Sequence, residues 1–116
     1  MEKLTSKLGI DLGGTKIEGL LTNKSGEQLK RIRVKTPGGG YEDILNAIAH
    51  LVSDLATTPD MPIGIGIPGS ISPATGRVRN SNILALNQNL FSKDLEETLG
   101  RLVRVANDAN CFTISE

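Results

Sequence analysis

The sequence lacks the hallmarks of several protein classes. It has one cysteine, Cys111, and no tryptophan, so it offers neither an internal disulfide framework nor a cysteine-rich metal site. No run of 18 apolar residues could span a membrane, and the polar start at residues 1–7 lacks the apolar segment of a signal peptide. Thirteen basic and 13 acidic residues cancel, which argues against a nucleic-acid partner. We therefore expect a cytoplasmic protein with neither a membrane nor a nucleic-acid partner.

Glycine, by contrast, is abundant. The chain has 13 glycines among 116 residues, above the usual share of about 7%. A hydrophobic content of 38% argues against disorder as the reason. Most of the glycines are clustered, at 13–14, 38–40 and 64–69. This clustering predicts that the backbone approaches something closely at several places.

The hydrophobic periodicity predicts an α/β fold. A meander of three strands comes first, then an amphipathic helix, a strand, a short helix capped by Ser92, a fifth strand and the start of another helix. The order βββαβαβα indicates a mixed five-stranded sheet with flanking helices, the fourth strand lying parallel to the first. The predicted segments are Leu8–Leu12, 17–21, Leu29–Val34, Tyr41–Leu55, Ile63–Ile67, Ser92–Leu99 and Leu102–Ala106.

The first motif lies between two predicted strands and contains Asp11, Gly13, Gly14, Thr15 and Lys16. Glycines let backbone N–H groups approach an anion, and the threonine and lysine add a hydroxyl donor and a charge. The aspartate, at the end of a strand, is placed to hold a metal ion through water. A tight hairpin turn explains the two glycines equally simply. The spacing fits neither a Walker A loop nor a GxGxxG dinucleotide fingerprint.

The second motif ends the strongest predicted strand. Ligands of open α/β sheets bind beyond the carboxyl ends of the strands, which favours Gly69 and Ser70 as functional residues. Gly64 and Gly66, within the strand, are better explained by close helix packing.

The third motif, residues 80–82, follows Gly76 and Arg77 in a long polar loop. Asparagine and serine side chains suit hydroxyl-rich ligands because each donates and accepts hydrogen bonds. They are also ordinary loop residues.

The fourth motif lies where the fifth strand becomes a helix. Asp108 is a carboxylate at the carboxyl end of a strand, where a general base would be useful. Asn107 and Asp108 also suit a helix N-cap, and the two roles are compatible.

These four motifs, in this order, resemble the ROK family of bacterial sugar kinases and regulators over residues 8–116. Within the family the likeness is greatest to bacterial fructokinases of the manno(fructo)kinase type. The fructokinase likeness rests on residues 69–73, 80–82, 86–87 and 91–95. The family likeness rests on Leu8-Gly-Ile-Asp-Leu-Gly-Gly-Thr-Lys16, Gly64-Ile-Gly-Ile-Pro-Gly-Ser-Ile-Ser-Pro73 and Ala106-Asn-Asp-Ala-Asn-Cys111.

The resemblance implies an actin-like ATPase (ribonuclease H-like) fold, of which residues 1–116 would form the N-terminal domain of two. It implies that Asp108 is the catalytic base, with Mg²⁺ near Asp11, and that ATP and a hexose are bound by two groups of residues. The ATP group is Gly9, Ile10, Asp11, Leu12, Gly13, Gly14, Thr15 and Lys16. The hexose group is Gly69, Gly76, Arg77, Asn82, Asn107 and Asp108.

The expected activity is therefore transfer of the γ-phosphate of ATP to the 6-hydroxyl of a hexose, with fructose as the expected sugar. Glucose, mannose, an N-acetylhexosamine, a sugar-responsive ROK regulator and a stand-alone sugar-binding module are the alternatives. The family's Glu-x-x-Gly-His segment, structural zinc site and second glycine-rich nucleotide segment would follow residue 116. We accordingly expect residues 1–116 alone to be inactive, and the full-length protein to form a homodimer.

Overall fold

A computed structural model describes residues 6–23, 25–56 and 61–107. These ranges contain a five-stranded sheet, a two-stranded sheet, two α-helices and one short 3₁₀ helix, Leu84–Leu86. The strands and α-helices are, in chain order, β1 (Lys7–Leu12), β2 (Lys16–Thr22), β3 (Gln28–Lys35), α1 (Tyr41–Leu55), β4 (Ile63–Ile67), β5 (Ser70–Ile71), β6 (Val78–Arg79), α2 (Phe91–Leu99) and β7 (Arg104–Asn107).

The large sheet has the strand order β3-β2-β1-β4-β7. Strand β1 pairs antiparallel with β2 and parallel with β4, and β4 pairs parallel with β7. The predicted mixed five-stranded sheet is therefore confirmed, including the parallel pairing of the first and fourth strands. The crossover through α1 makes this pairing possible, since parallel neighbours cannot be joined by a tight turn.

One face of this sheet carries the core. In register, Ile10 of β1 lies between Gly19 of β2 and Ile65 of β4, so all three point to the same face. Helix α1 covers that face, because Gly19 approaches Leu51 and Leu55 of the helix. The buried strand residues of this face are Leu8, Ile10, Leu12, Ile17, Leu21, Ile63, Ile65 and Ile67.

Helix α1 has the predicted bounds. Its buried side chains recur with helical spacing, and Glu42 and Asp43 lie in the first turn, where the helix dipole favours negative charge. The six buried residues are Ile44, Leu45, Ile48, Leu51, Val52 and Leu55. None of the helices in the described ranges is long and apolar enough to span a membrane.

Helix α2 begins differently from the prediction. Its N-cap is Leu90, no side chain caps it, and Ser92 lies inside the helix, so the predicted serine cap is wrong. The first residue of the helix is Phe91, whose side chain is fully buried. The hydroxyl of Tyr41 donates a 2.7 Å hydrogen bond to Asp94 and so joins α1 to α2. Burial, and then this bond, raise the pKa of Tyr41 well above its usual value.

The segment between β4 and α2, predicted to be one long loop, contains the second sheet. Strands β5 and β6 pair antiparallel, with Ser70 opposite Arg79 and Ile71 opposite Val78. The predicted order βββαβαβα thus omits two short strands. The last predicted helix lies outside the described residues.

Gly19→Ala should destabilise the fold. A Cβ at position 19 would overlap Leu55 Cδ1 and lie 3.2 Å from Leu51, and both leucines are buried. Overpacking of this kind costs about 1–3 kcal/mol. We expect that loss in the free energy of unfolding, measured by urea denaturation of the complete protein that contains this chain. Gly38→Ala is the matched control, because a Cβ there meets nothing within 4 Å. Equal stability of the two variants would contradict the packing role.

Candidate functional site

The first motif, the second motif and Asn107 of the fourth meet at one edge of the large sheet. Strands β1, β4 and β7 are parallel neighbours, so their carboxyl ends lie on the same side. Asp11 is in register with Gly66, and Ile67 is in register with Asn107. Since open α/β sheets bind ligands at this edge, the topology brings the first motif, the second motif and Asn107 together as one candidate site.

The first motif forms the turn of the β1–β2 hairpin, which we call the 13–16 turn. The N–H of Gly13 donates to the Lys16 carbonyl at 2.9 Å. Gly14, Thr15 and Lys16 are exposed. In the described part of the chain, no acceptor receives the N–H groups of Gly14 and Thr15. The hairpin interpretation and the anion-binding interpretation are therefore compatible, because the same turn closes the hairpin and presents two N–H donors.

Thr36, which the sequence analysis did not single out, holds this turn. It directly follows β3 and is 8% exposed. Its hydroxyl donates to the Gly13 carbonyl at 2.8 Å, and its N–H donates to the Thr15 carbonyl at 2.8 Å. A threonine before a proline carries no ligand-binding signal in a single sequence.

The predicted ATP-binding segment, residues 9–16, has some side chains in the core and others at the surface. Ile10 and Leu12 are fully buried beneath α1, where their side chains anchor the strand that leads into the turn. Gly9 and Asp11 alternate with them and lie on the opposite face. A side-chain role towards a ligand is therefore open to Asp11 but not to the two buried residues.

Asp11 is half-buried, and no hydrogen-bond donor within residues 6–23, 25–56 and 61–107 contacts its carboxylate. The same ranges contain no group of three histidine, cysteine, aspartate or glutamate side chains suited to a metal ion. A single carboxylate still fits Mg²⁺, which keeps several waters and binds through one or two carboxylates plus substrate phosphates.

Gly69, of the second motif, is required for the fold of its segment. Its φ is +92°, and a Cβ there would lie 2.7 Å from the Arg79 carbonyl oxygen and 2.9 Å from the Ser81 nitrogen. The backbone after β4 thus passes directly against the backbone after β6. Gly64 and Gly66 lie on the sheet face opposite α1, so the helix packing predicted for them stays a prediction, whereas Gly19 approaches α1 closely.

Gly76 and Arg77 shape the turn between β5 and β6. The Gly76 N–H donates to the Ser72 carbonyl at 2.8 Å, and the Arg77 carbonyl accepts from the Ser72 N–H at 2.9 Å. The guanidinium of Arg77 donates to the Gln88 carbonyl at 2.7 Å. Both residues therefore have structural roles, and the arginine connects the two halves of the loop that contains the third motif.

Asn87 fixes the third motif. Its side chain accepts a 3.0 Å hydrogen bond from the N–H of Ser81 and donates another of 3.0 Å to the Ser81 carbonyl. The Ser81 hydroxyl accepts from the Ile83 N–H at 3.0 Å. Ser81 and Ile83 are buried, whereas Asn82 between them is exposed. We call the two hydrogen bonds between Asn87 and Ser81 the Asn87 bracket. They hold the loop directly beside the exposed Asn82.

The fourth motif is only partly described. The backbone of Asn107 ends β7 and pairs with Ile67. Asp108, the predicted catalytic base, lies outside the described residues, and so does Cys111.

Asn87→Ala should weaken the loop. The substitution leaves the N–H and the carbonyl of the buried Ser81 without their partner, which costs about 1–3 kcal/mol. We expect a fall of that size in the unfolding free energy of the complete protein by urea denaturation. Asn46→Ala, an exposed change on α1, is the control. An Asn87→Ala variant as stable as this control would show that the bracket contributes nothing.

The profile of the ROK family matches residues 7–116. An N-acetyl-D-glucosamine kinase of Pasteurella multocida (strain Pm70) is 45% identical over 112 residues, which are 95% of this chain and 37% of that protein. Proteins of the same name from other bacteria match at 38–44% identity. The chain therefore spans little more than a third of the length of these curated relatives.

Two solved structures give the same fold. The inorganic polyphosphate/ATP-glucomannokinase of Arthrobacter sp. strain KM has a TM-score of 0.79 at 34% identity, covering 97% of this chain and 47% of its own. A ROK family glucokinase from Streptomyces griseus, solved with glucose and AMPPNP, has a TM-score of 0.77 at 29% identity, covering 90% and 34%. These relatives are named as kinases of N-acetyl-D-glucosamine, glucose and mannose, so they support a sugar kinase without supporting fructose as its substrate.

Proposed function

This chain belongs to the ROK family and has an actin-like ATPase fold, and we propose that the protein containing it is an ATP-dependent kinase of a hexose 6-hydroxyl. The observation that most supports ATP is the exposed 13–16 turn, in which the N–H groups of Gly14 and Thr15 have no acceptor within the described residues. Such N–H groups suit phosphate oxygens. ROK relatives with kinase names support the same reaction.

In the proposed reaction Asp108 accepts the proton of the sugar 6-hydroxyl. The hydroxyl oxygen then forms a bond to the γ-phosphorus, the bond from that phosphorus to the β–γ bridging oxygen breaks, and ADP leaves. Asp108 directly follows Asn107, whose strand ends at the same sheet edge as β1. Kinases accelerate this transfer chiefly by positioning and charge stabilisation, with an aspartate accepting the hydroxyl proton.

Asp11 is the residue that would hold Mg²⁺, through water. The ion would neutralise charge on the phosphates of ATP when bound. Structural zinc and the remaining nucleotide and sugar contacts stay predictions for residues beyond 116, as does a homodimer. Because the reaction consumes ATP, we propose the cytoplasm as its location.

For the sugar, we propose fructose as the first candidate. The segments that carry the fructokinase resemblance include residues 69–73, 80–82 and 86–87. These segments form the close approach at Gly69 and the Asn87 bracket around Ser81.

N-acetyl-D-glucosamine is the second candidate. Curated relatives at 38–45% identity are named for that sugar. Their likeness covers the same third of the protein and includes the whole described loop.

A coupled ADP-release assay of the complete protein across a panel of hexoses tests the proposal. The panel is fructose, N-acetyl-D-glucosamine, glucose, mannose and N-acetylmannosamine, each with ATP and Mg²⁺. The fructose proposal predicts the highest kcat/KM with fructose. A higher value with N-acetyl-D-glucosamine selects the second candidate. If no hexose is phosphorylated and the protein binds promoter DNA in a sugar-dependent way, the kinase proposal is wrong and the protein is a regulator.

Asp108→Asn tests the catalytic base. The amide keeps the size of the side chain but cannot accept the proton, so kcat should fall by about 10²–10⁴-fold, the usual contribution of general base catalysis. Hexose affinity by calorimetry should change little. Asp54→Asn removes the same charge from an exposed position on α1 and should retain full turnover. Near-normal kcat in Asp108→Asn would refute the assignment.

A further inference from the structure

We propose that Thr36 is a positioning residue that orients the 13–16 turn towards the phosphates of the nucleotide. The inference rests on the proposed function, because it gives a role in ATP binding to a residue outside the turn. Thr36 belongs to no motif of the sequence analysis. It reaches the turn from the end of β3, two strands away from the sheet centre.

The geometry of the contact is tight. Two hydrogen bonds of 2.8 Å run from this one residue, from its hydroxyl to the Gly13 carbonyl and from its N–H to the Thr15 carbonyl. Thr36 is 8% exposed, whereas Gly14 and Thr15 are exposed. A buried threonine therefore anchors a solvent-facing turn at two points.

The bond to the Gly13 carbonyl sets the direction of the Gly14 N–H. Because a peptide unit is planar and trans, its C=O and its N–H point in opposite directions. The carbonyl of Gly13 and the N–H of Gly14 belong to one peptide unit. When Thr36 binds that carbonyl on the inner side of the turn, the Gly14 N–H must point outward, where no acceptor in the described ranges receives it.

The two hydrogen bonds from Thr36 also turn the carbonyl oxygens of Gly13 and Thr15 away from the side where a phosphate would bind. A carbonyl dipole aimed at a phosphate would repel it, and a turn with two adjacent glycines can adopt many conformations that do so. Binding an anion to such a turn would cost the ordering of its backbone. Thr36 provides that order in advance, and two of the turn's carbonyls are directed away from solvent by its bonds.

Pro37 supports this arrangement. A residue that precedes proline is restricted to extended conformations, and the proline ring fixes its own φ. Thr36 directly follows Lys35, the last residue of β3, so the proline favours an extended backbone where β3 ends. Pro37 thus restricts the backbone at the end of β3, from which the Thr36 hydroxyl donates to the Gly13 carbonyl.

Thr36→Val and Thr36→Ser in the complete protein test the proposal. Valine has the shape of threonine without the hydroxyl, so it loses the bond to Gly13, whereas serine keeps it. Loss of one such bond corresponds to about a five- to tenfold effect. We expect KM for ATP to rise by that factor in Thr36→Val, KM for the hexose to stay within about twofold, and Thr36→Ser to restore most of the ATP affinity.

The matched control is Thr98→Val. The Thr98 hydroxyl donates a 2.9 Å bond to the Asp94 carbonyl within α2, so this variant loses the same kind of bond outside the turn. Both KM values should remain those of the wild type. Equal rises in both KM values of Thr36→Val, or no rise for ATP, would overturn the positioning role and leave only a structural one.

Direct binding of AMPPNP by calorimetry separates this proposal from the proposed function. A wild-type protein that binds AMPPNP but phosphorylates no hexose overturns the kinase alone, and the Thr36→Val affinity still decides the role of Thr36. A wild-type protein that binds no AMPPNP overturns both. Normal turnover with unchanged AMPPNP affinity in Thr36→Val overturns only the positioning role.

Discussion

The parallel pairing of β1 with β4 is the constraint on which the rest of the structure depends. It places Ile10 beside Ile65 against α1. Both residues are fully buried, and a shift of the register by one residue would turn the apolar set of β1 towards the other face. The core therefore fixes the register. The register in turn fixes where β1 ends relative to β4 and β7, which is what brings the 13–16 turn, Gly69 and Asn107 to one edge of the sheet.

Glycine serves different physical purposes at different places in this fold. Gly19 allows α1 to approach the sheet, since a Cβ there would overlap Leu55. Gly69 allows two loop backbones to approach each other beyond the end of β4. Gly14 meets nothing within 4 Å, so packing does not explain it. Its position in an exposed turn with free N–H donors in the described range is consistent with space kept open for a ligand.

The fold was largely predictable from the sequence where burial imposes a period. Helix α1 has its predicted bounds because its apolar residues recur at helical spacing, and β4 because its isoleucines alternate with glycine. Strands β5 and β6 have two residues each, too short for any period to emerge. The predicted Ser92 cap was wrong because a serine followed by acidic residues resembles a helix start, whereas α2 begins one residue earlier, at the fully buried Phe91. That burial depends on tertiary contacts, which a local pattern does not contain.

The register brings predicted motifs to one sheet edge, but residue type did not predict which polar side chains hold the loop itself. Asparagine and arginine in the 76–89 loop suggest ligand contacts by residue type, yet Asn87 and Arg77 hold backbone groups of the loop itself. Asn82 has the same chemistry but is exposed between two buried residues. The difference lies in which polar side chains the fold already satisfies. A backbone-binding residue such as Thr36 is hidden from sequence reasoning for the same reason, because its partners Gly13 and Thr15 are more than 20 residues away and become neighbours only when β3 pairs with β2.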